Sequence, residues 1–162
     1  MDYLDSRGSE FPETLDTGIV SRPRAKRRPA IRLTRDFEAA PERVFNAWLD
    51  PRIASRWLFA TAWRPMTPAR LDARVGGTFR FIERYRLEHS GAYVLIVPPR
   101  RLVFTLSSTD RRPDSQVAVE VLPRKGGCRL TLNHAGVPQD EMAQTENRWT
   151  GMLYGLATLV SS

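Results

Sequence analysis

One segment near the end of the chain restricts the fold more than any other. In "VPQDEMAQTENRWTGMLYGLATLV" (residues 137–160), side chains suited to burial recur at Met142, Thr145, Trp149, Met152/Leu153, Leu156 and Leu159/Val160. That is the spacing of one long amphipathic α-helix. Pro138 suits its first turn, and Asp140 and Glu141 suit the positive end of the helix dipole. Only Gly151 and Gly155 interrupt it. No other stretch carries a helical period of this length, so if the remainder is sheet, a single rod has to cover it.

The remainder does read as sheet. "IRLTRDF" sets Ile31, Leu33, Arg35 and Phe37 against Arg32, Thr34 and Asp36, the alternation of a half-buried strand. Two short helices are expected next, one opened by Pro41 and Glu42 with Val44 and Trp48 a turn apart, the other opened by Asp50-Pro51 and holding Ile53 and Trp57. "LDARVGGTFRFIERYRL" gives a turn at Gly76-Gly77 and a strand with Phe79, Phe81, Glu83, Tyr85 and Leu87 on one face. In "GAYVLIVPPRRLVFTL", two β-rich runs flank Pro98 and Pro99, which cannot donate to a central ladder, so the stretch is a hairpin with a stiff turn. A polar loop, "SSTDRRPDS", is expected before "QVAVEVL" and "CRLTLNH", whose facing rows are Val117, Val119, Val121 and Cys128, Leu130, Leu132, His134.

Successive hairpins make an antiparallel sheet with one face to cover. The expected fold is α+β: a curved antiparallel sheet of about seven strands, the 91–106 hairpin in its middle, two short helices after strand 1, and the long C-terminal helix over the sheet. A curved sheet around one helix leaves a wedge between them, a natural setting for an apolar pocket.

Composition bounds the rest. The 162 residues, 41% hydrophobic and 27% charged, suit one globular domain, expected over 31–162, with a charged and unpatterned tail over 1–30. A single cysteine, Cys128, excludes an internal disulfide framework and suits a reducing compartment. With no secretory signal visible and no apolar run of membrane-spanning length, a cytoplasmic protein without membrane insertion is expected. The net charge is +7, and only Lys26 and Lys125 are lysines, so arginine supplies nearly all the positive charge. The basic run "RPRAKRRP" carries no interleaved aromatic, which argues for a solvated linker and against nucleic acid as a partner.

Several blocks together carry a family resemblance: "FEAAPERVFNAWLDPRIASRW", "DARVGGTFRF", "GAYVLIVPPRRLVFTL", "RLTLNHAGVP" and "NRWTGMLYGLATLV". In order and spacing they resemble the homologues of the activator of heat-shock-protein-90 ATPase, within the START-like (SRPBCC, birch-allergen-like) superfamily, over about residues 31–160. The resemblance implies the helix-grip fold and a cavity that often holds lipophilic molecules. It implies no universal catalytic residue. Where the family often has paired tryptophans after the second short helix, this chain has Trp57-Leu58.

The residues themselves offer little chemistry. His89 and His134 have no Cys or acid at a ligand spacing, so neither a metal nor a cofactor is expected. No G-x-S-x-G occurs, and Cys128 sits in a strand as a small hydrophobe would. Glu83 shares the inward parity of Phe79 and Phe81, and Arg35 breaks the inward row of the first strand. An unpaired buried carboxylate is costly, so the two are expected to pair, to line a polar part of the cavity, or to sit at a wet rim. His134 closes an inward row and could serve a ligand, act as acid or base, or be a satisfied strand end. Trp149, Met152 and Leu156 would reach a ligand from the helix, Phe81, Tyr85 and Phe104 from the sheet, and Trp57 from a pocket mouth. The candidate ligand-binding set is therefore Arg35, Trp57, Phe81, Glu83, Tyr85, Phe104, His134, Trp149, Met152 and Leu156, with no catalytic residue. Three functions follow as expectations: a non-enzymatic binder of a small lipophilic ligand, a polyketide cyclase or aromatase using the same cavity, or a chaperone-assisting interaction module in stress response.

Overall fold

Prolines and one aspartate set the start of the fold. In the computed structural model, which describes residues 30–60, 70–82, 88–108 and 111–161 (side chains of 111–114 excepted), strand β1 spans Ala30–Phe37. Helix α1 (Pro41–Asn46) begins on Pro41, and helix α2 (Pro51–Trp57) on Pro51. The Asp50 carboxylate caps α2 by accepting from the Arg52 N–H at 2.9 Å, which satisfies one of the donors a helix start leaves orphaned. Strands β2 (Arg70–Leu71), β3 (Thr78–Ile82), β4 (Glu88–Val97), β5 (Arg101–Ser108), β6 (Arg111–Arg124) and β7 (Gly127–Ala135) follow. A single 3-10 turn, Gln139–Glu141, then leads into helix α3, Met142–Val160.

All seven strands form one antiparallel sheet in the order β1-β7-β6-β5-β4-β3-β2. The β4–β5 hairpin lies mid-sheet as its sequence suggests, and the first strand closes against the last because β1 pairs with β7 along its whole length. The inward rows match the alternation of the sequence: Phe79 and Phe81, Leu102 and Phe104, Val117 to Val121, and Cys128 to His134 are all buried. Against them α3 lays Thr145, Trp149, Met152, Leu153, Leu156 and Val160. This is the helix-grip arrangement, with the core between the concave sheet face and one helix.

One stretch departs from the sequence reading, and another lies partly outside the described residues. The stretch read as a polar loop is mostly strand: β5 runs on to Ser108, β6 begins at Arg111, and these two residues pair. Main-chain ladder bonds hold a strand whatever its side chains, so polar composition there hid a long hairpin. The strand expected to continue to Leu87 is described as far as Ile82, which pairs with Glu88 at the start of β4. Residues 83–87, including Glu83 and Tyr85, lie outside the described residues, as does the N-terminal tail over 1–29.

The sheet bends on β4. The β4–β5 register slips between Tyr93 and Leu95, the mark of a bulge that turns a strand and strengthens its twist. At Gly91 the backbone passes so close to the Thr105 carbonyl that any Cβ would collide with it. Before the bulge His89 and Tyr93 are both buried, whereas Val94 at the slip is exposed.

Two outcomes follow. Leu156 is fully buried beneath α3, so Leu156→Ala is expected to cost about 2–5 kcal/mol, read as a lower urea midpoint at unchanged m-value. Burial, with a smaller contribution from Asp72, pushes the Tyr93 phenol well above its ordinary value. The folded state then keeps a proton that the unfolded state releases above a pH of about 10, so stability falls as pH rises past that point. Tyr93→Phe is expected to lose stability less steeply in that window, measured by urea melts from pH 9 upward.

Candidate functional site

The polar end of the wedge is built from residues far apart in sequence. On β7, His134 faces inward at the last turn of the ladder, and on β6 its paired neighbourhood brings Ser115 alongside. His134 Nε2 and Ser115 Oγ are 2.7 Å apart. From α3, the Trp149 indole N–H donates to His134 Nδ1 at 3.0 Å. An indole nitrogen can only donate, so Nδ1 is the acceptor and the ring proton sits on Nε2. His134 therefore donates to Ser115 Oγ, and Ser115 passes its own proton to the Leu106 carbonyl at 3.2 Å. The direction of this relay matters chemically. A serine nucleophile needs its histidine to accept from it, and here the histidine donates.

Beside the relay lies a cavity of about 50 Å³. Its sheet wall is His89, Leu106, Ser107, Ser108, Ser115 and His134; α3 adds Thr145, Arg148, Trp149 and Met152, and Phe59 lines it as well. A second void of about 10 Å³ lies deeper, among Trp48, Leu58, Phe79, Phe81, Tyr93, Leu102 and Phe104. A void that holds benzene is roughly 150 Å³, so as they stand neither space is large enough for an aromatic ring.

Phe59 lines the larger cavity, and its edge-on neighbour Phe81 lines the second void. The Phe59 ring stacks on His89 with centroids 4.4 Å apart and planes 8° from parallel, and it meets Phe81 edge-on at 5.2 Å. Its backbone is left-handed, at φ 61°, the one non-glycine residue so placed among the described residues. For a bulky L-residue that conformation costs roughly 1–2 kcal/mol. Its N–H donates to the Met152 thioether at 3.0 Å, a weak acceptor.

The sequence candidates divide accordingly. His134, Trp149 and Met152 come together at the larger cavity, and Phe81 and Phe104 at the smaller one. Trp57 packs edge-on against Trp48 at 4.7 Å and donates its indole N–H to the Ala47 carbonyl, within the core. Leu156 is core as well. Arg35 is half-buried at the sheet edge, its guanidinium 5.7 Å from the Tyr154 ring of α3 and its Nε without a hydrogen-bond partner among the described residues. Glu83 and Tyr85 fall outside the described residues. Sequence reading missed Phe59, His89, Ser115, Thr145 and Arg148 as site residues. Ser115 continues the inward parity of Val117, and His89 that of Tyr93, so alternation could have found both. Thr145 was legible only as part of the helical stripe. Among the described residues no cluster of three His, Cys, Asp or Glu could hold a metal, and no helix is long and apolar enough to cross a membrane.

The relay predicts its own spectrum. At neutral pH, ¹⁵N NMR is expected to show His134 as the Nε2–H tautomer, and a proton on Nδ1 would contradict the bond from Trp149. Trp149→Phe leaves Nδ1 buried without its donor and is expected to cost about 1–3 kcal/mol.

Comparison with known proteins agrees with this architecture. The model of the family described as Activator of Hsp90 ATPase homolog 1-like protein matches residues 38–161. A solved protein of Chromobacterium violaceum is 28% identical, with a TM-score of 0.74, covering 82% of this chain and 97% of its own. CalU16 from Micromonospora echinospora is 25% identical, with a TM-score of 0.64 over 82% of this chain and 76% of its own. DynU16, a protein of the dynemicin biosynthetic locus, is 21% identical and shares the fold with a TM-score of 0.71; the match covers 82% of this chain and 47% of that one. Among curated proteins nothing matches. With helices, sheet order and family match in agreement, the chain belongs to the Activator of Hsp90 ATPase homolog 1-like protein family.

Proposed function

We propose that the protein is a non-enzymatic binder of a small lipophilic molecule, held between the sheet and α3. The observation that carries this reading is the pair of voids against the concave face of the sheet, the larger lined by polar and apolar groups alike and the smaller by aromatic and aliphatic side chains. Close packing is the rule for interiors, so two voids against one sheet face support a guest there, with the lining side chains giving way to admit it. The lone cysteine, buried and unpaired, suits the reducing cytoplasm proposed for it.

An enzymatic reading of the cyclase kind draws on the neighbour from a biosynthetic locus. It needs a general acid or base aimed into the void, whereas His134 has both ring nitrogens committed, to Trp149 and Ser115. The binding reading uses the same groups without asking them to move protons.

Native mass spectrometry of freshly purified protein tests it. A co-purifying small molecule, released on denaturation, is the expected result. Bare protein that also fails to take up an apolar dye such as anilinonaphthalene sulfonate would overturn it. Adding the same preparation to an Hsp90-type ATPase separates off the chaperone-assisting alternative, for which no stimulation is expected.

A further inference from the structure

The two edges of the sheet are unlike. At one end β2 is only two residues long. At the other, β1 runs for eight residues, contains no proline, and pairs with β7 without a register slip. No further strand lies beyond β1 among the described residues. A long regular edge leaves a row of main-chain donors and acceptors open to another strand, and folds that avoid such pairing shorten the edge, bulge it or put proline in it. β1 does none of these. Charges can also hold an edge apart, and β1 carries Arg32, Arg35 and Asp36, so their arrangement decides.

That arrangement is self-complementary. Set β1 antiparallel to a copy of itself with the two-fold axis at Thr34. On the outer face Arg32 then stands opposite the partner's Asp36, Thr34 opposite the partner's Thr34, and Asp36 opposite the partner's Arg32. Opposite charges and Thr–Thr pairs directly across two strands are favourable, whereas like charges are not. On the inner face Leu33 meets the stem of the partner's Arg35, and Ile31 meets the partner's Phe37. Other registers do worse. A slip that mixes the faces sets inward side chains against outward ones. Moving the axis to Leu33 leaves Asp36 facing Ala30, and moving it to Arg35 sets two Arg35 side chains against each other.

The single copy holds groups that suit this seam. Arg32 faces Asn133 on β7 and makes no ion pair among the described residues. Asp36 is held on the outer face by Arg124 and Arg129, whose three bonds leave room for another on a carboxylate that accepts about four. On the inner side Leu33 and Arg35 are half-buried. Over Arg35 stands Tyr154 of α3, its ring 5.7 Å from the guanidinium. Tyr154 is 65% exposed, more than any other large hydrophobic side chain among the described residues. A second β1 along the edge brings its Leu33 opposite Arg35, and so beside that ring.

We propose that β1 is the pairing edge for a second copy of this chain, two β1 strands meeting antiparallel about a two-fold axis at Thr34 so that the two sheets run on as one. This goes beyond ligand binding and does not depend on it. A seam one strand wide is small beside a standard interface, so association is expected in the micromolar range.

Sedimentation velocity on the full chain, over dilutions from millimolar to sub-micromolar, tests it. A monomer–dimer equilibrium is expected. Arg32→Glu sets a carboxylate against the partner's Asp36, and Asp36→Lys sets an ammonium against the partner's Arg32. Each variant alone should self-associate at least tenfold more weakly. Mixed, the two present only opposite charges across the seam, and the mixture should regain wild-type association as a heterodimer. A residue that only stabilised its own fold would give no such rescue. Circular dichroism checks folding, and should Asp36→Lys fail to fold, Thr34→Cys reads the register instead. Residues directly opposite on antiparallel strands have Cβ atoms about 4.5–5.5 Å apart. A short bis-methanethiosulfonate reagent should therefore link Thr34→Cys chains in pairs, while Thr131→Cys, one strand in from the edge, stays unlinked. Cys128 is buried and stays out of the reaction.

A wild type that remains monomeric throughout overturns the proposal. So does self-association unchanged by Arg32→Glu, a mixture of the folded variants no tighter than either alone, or a dimer that leaves Thr34→Cys unlinked. Each of these results leaves the ligand-binding reading standing.

Discussion

Trp149 fastens the terminal helix to the sheet in two ways at once. Its indole N–H bonds His134 on β7, and its ring lies against Trp48 from α1's C-terminal side and near Phe59 beyond α2. One side chain therefore touches every layer of the molecule. The polar bond fixes where along the sheet the helix must sit; the apolar contacts supply the gain from leaving water. Sliding α3 by a residue would sacrifice both, because it would leave the buried His134 Nδ1 without its donor. The depth of the wedge follows from this tie.

The same tie explains why the interior is divided in character. At the His134 end, the strands carry serines and histidines and the hydrogen bonds run among side chains. Further in, among Trp48, Phe79, Phe81 and Phe104, the rings meet at centroid separations of 5.4 to 6.1 Å with no polar partner involved. A relay of donors running one way, from indole to imidazole to hydroxyl to carbonyl, leaves its polar groups satisfied while orienting each of them. In that orientation His134 donates to Ser115 and does not accept its proton.

The architecture was largely legible in the sequence because it rests on periodicity, which is local. The period-2 rows of β1, β6 and β7 and the stripe on α3 stand where alternation puts them, and the family blocks fixed their order. Site chemistry was less legible, for reasons that particular residues show. Ser115 reads as loop because its neighbours are polar and its strand is held by main-chain bonds. His89 reads as an isolated histidine because only its shared parity with Tyr93, four residues on, marks it as inward. Phe59 carries no local signal at all: a left-handed φ in a non-glycine residue is imposed by its surroundings, and the sulfur that accepts its N–H lies on the last helix. Trp57 is hard to place from sequence alone, since an aromatic beside a short helix can form a pocket mouth; its ring packs edge-on against Trp48 in the core.

The bend at β4 has a consequence for how such a shell can diversify. It comes from a register slip and from a backbone approach at Gly91 that leaves no room for a methyl group. Both lie beside side chains that border the smaller void: the Phe79 ring is packed against Gly91, and Tyr93 stands at the slip. A substitution at Gly91 would therefore press on the bend of the sheet and on the wall of that void together, so curvature and lining are not independent there. The Chromobacterium protein, 28% identical, keeps this architecture at a TM-score of 0.74.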